Sequence, residues 1–529
     1  MYRTAFHVVA ACAAIFLSVE PTSAQNAAVA PEAMMMRLII QVDFDKDTGQ
    51  NFGTLFEAVD AQGRVVAGAG FPGLYNTTCR NDRRSLQFYV RPAQDTGRMV
   101  PEMLPRFSGD TGVYIGDING RMYAMGQRVA TRVQAWDDAA GRWEVAPEYA
   151  NAALRNGDGI MHLGDGQLSF RNSRIEYNGQ LVLAASEKES LHHAYYAQGH
   201  LFFFHDRPGK TKDGAFTRVC ALPWVPDQAA PPDLATAICE PTYSLHETTW
   251  AWGQLCAKVI TVTNWGTVLV FDGEHWTTLR KHDGKSYQVY SMLNYYDRLL
   301  LGHYPSGCLF EYDGQTVKAT ENWPPRIPGV TGYAREAQAT ALYRGDLYAT
   351  VWPWAELWRY DRNAGQWLAV GRMFTRPPVT DKVGHPFEAE IVAYNALHGT
   401  KNVINDWGQR ATSLAVADGA LYVGTSNKGG SPRPVDYTFI DDAALEEYGR
   451  VWRLRLPGHL SAQVRWVNGP TTFEFVVTAG EMRLLQDGLV LDSTVLDATL
   501  ASGVRGAKFT LGEGLFGRLA GLAKVLPMP

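Results

Sequence analysis

Short apolar and aromatic runs, each broken by a turn signal, recur along most of the chain. The clearest example covers residues 337–374, where an alternating apolar stretch leads into Arg344-Gly345-Asp346 and a second, aromatic stretch follows. Glu356–Asp361 reads as a third strand, and Asn363-Ala364-Gly365 turns the chain into a fourth. Alternation with a period of two, with glycine at the turns, predicts one four-stranded antiparallel sheet.

The same order of strands and turns is repeated about six times, with room for one more copy. The other copies lie in residues 116–145, 173–206, 259–279, 288–320 and 411–456. A small sheet with two apolar faces cannot shield both faces alone, and packing such sheets around an axis covers each face with a neighbour. The repeats therefore predict an all-β fold, a β-propeller of about six or seven blades over residues 111–458.

The two ends of the chain lack the repeated pattern but still read as strands. Residues 25–110 and 459–529 are expected to form an N-terminal and a C-terminal β segment. The C-terminal segment is interpreted as a small β-sandwich appended to the propeller. The N-terminal strands are candidates to complete this sandwich. The alternative is that the N-terminal strands pair with the last blade and close the ring. Periodicity does not choose between them.

The first 24 residues have the order of a secretory signal. A positive start at Met1-Tyr2-Arg3 precedes an almost wholly apolar stretch and then the small residues Thr22-Ser23-Ala24. This apolar stretch is too short to span a bilayer, and no later one is long enough. We expect cleavage after Ala24 and a secreted or periplasmic protein.

The charge composition argues against nucleic acid as a binding partner. The formal net charge is −5 with both signs interspersed, which lacks the basic footprint of a nucleic-acid binder. We expect a monomer. Export permits disulfides, and Cys220 and Cys239 flank a proline-rich loop, so they are the preferred pair; buried free thiols are the alternative.

Histidine, tyrosine and arginine concentrate in places that could carry proton transfer. The densest is a predicted hairpin around residues 191–207, where histidine suits proton transfer near neutral pH and arginine suits carboxylate binding. His303 and Tyr304 directly follow the second strand of one repeat, and Arg335 begins the first strand of the next repeat. The candidate catalytic residues are His192, His193, Tyr196, His205, Arg207, His303, Tyr304 and Arg335. Aromatic packing beside solvated polar loops is the structural alternative.

A second set of residues suits stacking on sugar rings. Indole faces pack well on apolar sugar faces, and carboxylates or imidazoles beside them can bind hydroxyl groups. The candidate substrate-binding residues are His246, Glu247, Trp250, Trp252, Trp352, Trp354 and Glu356. Polar loops anchored by buried aromatic residues are the alternative.

Two charged segments resemble ion-binding sites but lack part of the expected residue pattern. Residues 43–49 alternate carboxylates as a calcium loop does, but the glycine falls one place late and Thr54 stands where glutamate would close the loop. We therefore expect a hairpin turn and no metal or other cofactor, with calcium as the alternative. Residues 80–84 are expected to form a charged turn rather than an anion site.

The repeated Gly-x-Leu-Tyr, Trp and Tyr-Asp elements resemble kelch-like β-propellers of secreted bacterial proteins, over roughly residues 112–456. The resemblance implies a carbohydrate-active protein with a poly- or oligosaccharide partner. The first hypothesis is a polysaccharide lyase acting by β-elimination on a uronate-containing glycan. Arginine neutralises the uronate, a histidine removes the proton, and Tyr196 or Tyr304 protonates the leaving oxygen. The alternatives are a glycoside hydrolase using carboxylates such as Glu247, Glu336 or Glu356, and a non-catalytic glycan-binding or scaffold propeller.

Overall fold

The computed structural model describes most of the chain, and the fold is all-β, with 54% of residues in strands and 8% in helices. The described residues are 34–43, 53–77, 79–80, 84–95, 99–128, 132–147, 159–163, 166–226, 228, 230–328, 334–379, 384–401, 403–465, 467, 469–512 and 523–526. The predicted signal peptide and most of the calcium-like loop and of residues 80–84 lie outside this set. Within it, no helix has both the length and the apolar character needed to cross a membrane.

The N-terminal strands belong to four different sheets. They are β1 (Met34–Asp43), β2 (Thr54–Val59), β3 (Val65–Gly70), β4 (Leu74–Asn76), β5 (Cys79–Arg80), β6 (Ser85–Val90) and β7 (Glu102–Met103).

The described residues then form seven antiparallel units of four strands, which we number in chain order; five are separate sheets, and units 1 and 5 are the two ends of one ten-stranded sheet joined through β5 and β4. Unit 1 is β8 (Val113–Ile118), β9 (Arg121–Gly126), β10 (Gln134–Asp137) and β11 (Arg142–Val145). Unit 2 is β12 (Gly159–Leu163), β13 (Gly166–Arg171), β14 (Arg174–Tyr177) and β15 (Gln180–Ala184). Unit 3 is β16 (Ser190–Ala197), β17 (His200–Arg207), β18 (Phe216–Pro223) and β19 (Ile238–Pro241). Unit 4 is β20 (Thr249–Leu255), β21 (Lys258–Thr263), β22 (Val268–Phe271) and β23 (Trp276–Arg280).

The later units complete the series. Unit 5 is β24 (Gln288–Tyr295), β25 (Arg298–Tyr304), β26 (Leu309–Tyr312) and β27 (Val317–Ala319). Unit 6 is β28 (Glu336–Tyr343), β29 (Asp346–Trp352), β30 (Glu356–Asp361) and β31 (Gln366–Arg372). Helices α1 (Glu388–His398) and α2 (Val403–Asp406) precede unit 7. Unit 7 is β32 (Arg410–Ala417), β33 (Ala420–Ser426) and β34 (Val451–Arg455), and the N-terminal strand β7 is its fourth strand. Helix α3 (Asp442–Leu445) lies between β33 and β34. Short 3-10 turns occupy Thr211–Asp213, Leu234–Thr236 and Lys428–Gly430.

The C-terminal segment adds β35 (His459–Gln463), β36 (Pro470–Thr478), β37 (Glu481–Gln486), β38 (Leu489–Val495), α4 (Ala498–Gly503), β39 (Lys508–Leu511) and β40 (Ala523–Val525).

Tight turns fix the hairpins inside the units. In unit 6, Tyr343 pairs with Asp346, so the turn between them has only two residues, Arg344 and Gly345, with φ of 52° and 76°. Two positive φ angles match the right-handed twist of the flanking strands, and glycine at the second position adopts that angle without strain. The Arg344-Gly345-Asp346 turn predicted from the sequence is therefore present.

Apolar cores join each unit to the next in chain order. Separate clusters of buried side chains cover the contacts from unit 1 to unit 2, from 2 to 3, from 3 through 4 to 5, from 5 to 6 and from 6 to 7. A further cluster, with Trp136 from unit 1 and Tyr422 from unit 7, joins the last unit to the first. Each of these small sheets thus buries apolar side chains against a neighbouring sheet.

The two ends of the chain build one sandwich. One sheet has the order β38-β37-β36-β1-β40 and the other the order β35-β6-β3-β2-β39, so both mix N-terminal and C-terminal strands. Phe56 and Phe88 from one sheet pack on Phe475 of the other, with ring centroids 4.8 and 5.2 Å apart. Both alternatives left open by periodicity occur together, because the N-terminal strands complete this sandwich while β7 pairs with β34 in unit 7.

Candidate functional site

The first strands of units 3 to 7 share one irregularity. Each pairs with its second strand in a register that shifts near the start of the first strand, which is a β-bulge. A bulge inserts an unpaired residue and turns its side chain away from the regular alternation. The bulges contain, unit by unit, His193, Trp250, Tyr290, Gln338 and Thr412.

Four of these bulge residues line one cleft where the first strands meet. We name this cavity of ≈ 360 Å³ the central cleft. Its lining is rich in aromatic, amide and hydroxyl side chains: Thr77, Tyr114, Gln127, Trp250, Ser286, Gln288, Tyr290, Tyr304, Glu336, Gln338, Asn405, Arg410, Thr412, Ser426, Asn427 and Lys428, with Gly429. The bulges therefore bring residues that are far apart in sequence into a single site.

A buried carboxylate organises one wall of the central cleft. Glu336 Oε1 accepts a hydrogen bond from Gln338 Nε2 at 2.9 Å, and Oε2 accepts one from Arg410 Nη1 at 2.8 Å. Arg410 is also held by Asn405 and lies over the ring of Trp352, 5.2 Å from the ring centroid. Both oxygens of Glu336 are thus occupied, and its charge is balanced by Arg410.

Aromatic rings also line the central cleft. Trp250 and Tyr290 stack with ring centroids 6.2 Å apart and an interplanar angle of 23°. Burial, and then the negative charge of Glu336, raises the pKa of Tyr290 well above its ordinary value and also raises that of Tyr304. Both phenols are therefore neutral near pH 7, and they offer ring faces rather than a basic oxygen; the Tyr290 hydroxyl already donates to Gln288 Oε1.

Four polar atoms of the central cleft make no hydrogen bond to protein. They are Gln127 Oε1, Trp250 Nε1, Gln338 Oε1 and Arg410 Nε, and each is buried. Buried polar atoms are costly without a partner, so a ligand or water in the cleft would satisfy them. Two are donors and two are acceptors, which is the set that a hydroxyl-rich molecule can match.

The predicted histidines of unit 3 are divided between the cleft edge and a separate cluster. His193 lies against Trp250, with ring centroids 5.4 Å apart, whereas His192 contacts Thr248 at 3.2 Å. His205 and Arg207 both bind Glu189, at 3.0 and 2.5 Å.

The Glu189 cluster is internally neutralised. Burial alone would raise the pKa of Glu189, but the hydrogen bonds from His205 and Arg207 lower it to about 2. Burial lowers the pKa of His205, and Arg218 donates to its Nδ1, so this imidazole is neutral near pH 7. His205 is 1% exposed, which leaves little room for a substrate beside it.

The remaining predicted catalytic residues lie in three places. Tyr304 lines the central cleft, and the neighbouring His303 is enclosed by Tyr287 and Phe310 and bonded to Ser306. Tyr196 is fully buried in the core between units 2 and 3.

Arg335 forms a buried ion pair with Glu356, at 3.1 Å, inside unit 6. Trp358 donates to the same Glu356 oxygen at 2.6 Å. Burial raises the pKa of Glu356, while Arg335 opposes that change. The charges of Arg335 and Glu356 therefore balance each other within the protein.

The predicted substrate-binding residues also divide. Trp250 lines the central cleft, and Trp352 reaches it through Arg410. Trp252 is fully buried in the core, and Trp354 is buried and donates to the carbonyl of Gly384.

The adjacent residues His246 and Glu247 have different surroundings, since one side chain is exposed and the other is buried. Glu247 is buried and accepts hydrogen bonds from Tyr243 N and Thr267 Oγ1, at 2.9 and 3.0 Å, which fixes the loop before unit 4. His246 is exposed on the same loop. The structure thus brings Trp250 and Tyr304 into one site with Trp352 and His193 at its edge, and it distributes the other predicted residues elsewhere.

Sequence reasoning missed the residues that complete the central cleft. Tyr290, Gln338 and Thr412 occupy the bulge at the same place in successive repeats, so aligning the repeats at their first strands would have drawn attention to them. Across the part of the chain that is described, no group of three or more His, Cys, Asp or Glu side chains is arranged to hold a metal ion.

Comparisons with known proteins reveal weak likenesses. No protein-family model and no curated protein matches the chain. Among solved structures, the propeller-like BamB from Moraxella catarrhalis is 10% identical, with 79% of this chain and 98% of that chain covered and a TM-score of 0.27. Sucrose-6-phosphate hydrolase from Lactobacillus gasseri is 12% identical, with 80% and 90% covered and a TM-score of 0.22. The computationally designed Ika8 protein is 12% identical, with 78% and 100% covered and a TM-score of 0.32. These likenesses identify no family for this chain.

Proposed function

We propose that the protein is an exported, seven-bladed β-propeller that binds an uncharged glycan in the central cleft without cleaving it. The observation that carries the proposal is that the stacked Trp250–Tyr290 pair lines the same cleft as buried polar atoms of Gln338 and Arg410 that have no protein partner. A sugar ring presents an apolar face for stacking and hydroxyl groups that both donate and accept.

The charges of the cleft favour an uncharged ligand. Arg410 is neutralised by Glu336 at 2.8 Å, and Lys428 lies 3.7 Å from Asp406. A uronate carboxylate would compete with Glu336 for Arg410, and separating that buried ion pair is costly, whereas the Lys428–Asp406 pair is about half exposed and contributes less. Hydroxyl groups need no such exchange, since they can use Arg410 Nε while the pair stays intact.

Binding is favoured over β-elimination for a chemical reason. Elimination needs a basic group beside the sugar, and burial raises the pKa values of both tyrosines of the cleft whose shifts are resolved. The histidines predicted for this role are held elsewhere or at the edge of the cleft. Hydrolysis needs a second carboxyl group, and Glu336 is the one carboxylate among the described residues that line the cleft.

The test is a panel of neutral and uronate-containing glycans, with affinity measured by calorimetry and products followed by ultraviolet absorbance and reducing ends. We expect binding of at least one neutral glycan without product. Trp250→Ala should weaken that binding by about 30-fold, because a central tryptophan contributes ~2 kcal/mol. Tyr243→Ala, which removes an aromatic ring that is 47% exposed outside the cleft, is the matched control and should bind normally.

Four outcomes contradict the proposal. Binding of no glycan would refute it, and an equal loss in Trp250→Ala and Tyr243→Ala would move the site away from the cleft. Release of unsaturated products would instead support the lyase hypothesis, and release of reducing ends alone would support the hydrolase hypothesis.

A further inference from the structure

The N-terminal segment closes the bottom of the central cleft. Strand β4 pairs with β24 of unit 5, and β5 pairs with β8 of unit 1, so the chain passes between two units that are not neighbours in the series. Asn76 Nδ2 donates to the carbonyls of Thr340 and Leu414, at 3.0 and 3.3 Å, in units 6 and 7. The segment is thus tied to four of the seven units at the place where their first strands meet.

Thr77 forms the floor itself. Its hydroxyl lies 2.7 Å from the carbonyl oxygens of both Trp250 and Tyr290, and the residue lines the cleft. Because backbone crosses here, the cleft has a closed end, and a chain cannot pass through the centre of the molecule.

The unpartnered polar atoms lie deep in this closed cleft. Gln338 is 6% exposed and Arg410 is 8% exposed, so a molecule lying across the mouth does not reach them. The cleft volume of ≈ 360 Å³ is at the small end of ligand sites, which range over ~300–1,000 Å³. An internal unit of a polymer has chain on both sides and cannot enter such a space without a sharp bend.

We propose that the central cleft takes the end of a glycan chain, with about one or two sugar rings inside it, and does not grip the interior of a polymer. This inference rests on the proposed function. The protein would then recognise the ends of glycan chains rather than the repeating units within them.

The experiment measures affinity for cello-, manno-, xylo- and chito-oligosaccharides, each from monomer to hexamer, with the full mature protein. We expect affinity to rise from monomer to dimer and then to change by less than about twofold up to the hexamer. On the matching insoluble polymer, the amount bound per unit mass should follow the number of chain ends and so increase when the polymer is cut to shorter lengths.

Substitutions inside the cleft and at its mouth separate the two modes of binding. Gln338→Met keeps the side-chain size and removes the buried polar atoms, and it should weaken the dimer and hexamer equally, by about tenfold. Lys428→Met, at an exposed position, should leave the ratio of hexamer to dimer affinity unchanged. Should Gln338→Met fail to fold by its melting curve, the length series on the unmodified protein decides alone.

The outcomes distinguish this inference from the one on which it rests. An affinity that keeps rising through the hexamer, or a selective loss of hexamer binding in Lys428→Met, overturns end recognition while glycan binding stands. Failure of every sugar in the series and of the wider panel overturns both.

Discussion

A buried ion network joins the sandwich to unit 6, and breaking it should measurably destabilise the protein. Asp346 accepts hydrogen bonds from Arg91, at the end of the sandwich strand β6, at 2.5 Å, and from Arg359 at 2.6 Å. All three side chains are at most 3% exposed. Burial would lower the pKa of Arg91, but Asp346 raises it.

The substitution Asp346→Asn keeps the shape and removes the charge. It leaves two buried guanidinium groups facing a neutral amide, and breaking a buried pair in this way costs ~3–5 kcal/mol. Asp361 still lies 3.6 Å from Arg91 and 3.4 Å from Arg359, so it compensates in part. We therefore expect a loss near the lower end, about 3 kcal/mol in the free energy of unfolding.

Denaturant unfolding followed by tryptophan fluorescence measures this loss, with Glu144→Gln as the control. Glu144 pairs with Arg142 on the surface, where Arg142 is 71% exposed, and such pairs contribute ~0–1 kcal/mol. Limited proteolysis should also release the sandwich earlier in Asp346→Asn, because the network crosses that interface. Equal, small losses in both variants would refute the reasoning, since the buried charges would then be no more important than exposed ones.

Two further predictions concern the disulfide and a buried histidine. The disulfide between Cys220 and Cys239, which was predicted from the flanking loop, joins residues separated by 19 positions. Replacing both cysteines by alanine should lower the free energy of unfolding by about 3 kcal/mol, measured by thermal unfolding. The control Cys256→Ser, at an exposed free cysteine, should change the free energy of unfolding little. Burial, and then the charge of a nearby arginine, lowers the pKa of His303 from 6.5 to about 3, so the folded state keeps it neutral while the unfolded state binds a proton below pH 6.5. The stability that this neutral imidazole contributes is therefore complete above pH 6.5 and lost as the pH falls toward 3. His303→Phe should flatten the pH dependence of unfolding in that window by about 1.4 kcal/mol per pH unit relative to the exposed control His275→Phe; parallel curves for the two variants would contradict the assignment.

Local chemistry explains why the repeats were predictable. The two-residue turn at Arg344 and Gly345 needs positive φ angles, and alternation on either side needs only neighbouring residues. The Cys220–Cys239 pair was predictable for a similar reason, because its two strands, β18 and β19, are adjacent in sequence and in the sheet.

The central cleft was only partly predictable, because a side chain's direction depends on the bulge. Trp250 was chosen as an aromatic residue beside a polar pair, and the structure places it in the cleft. Its neighbour Trp252 has the same chemistry and lies fully inside the core. Glu247 and Arg335 looked equally available in the sequence, yet Glu247 is hydrogen-bonded to Thr267 and Arg335 is paired with the buried Glu356.

The sequence by itself determined the all-β character, the repeated hairpins and the disulfide, since these depend on residues close together along the chain. Only the tertiary structure decided that both ends of the chain share one sandwich, that β7 completes unit 7, and that β4 and β5 close the cleft. Most of those pairings join strands hundreds of residues apart, and all of them use backbone hydrogen bonds, which depend little on the sequence. Their register is therefore set by the burial of the assembled molecule and not by any local pattern.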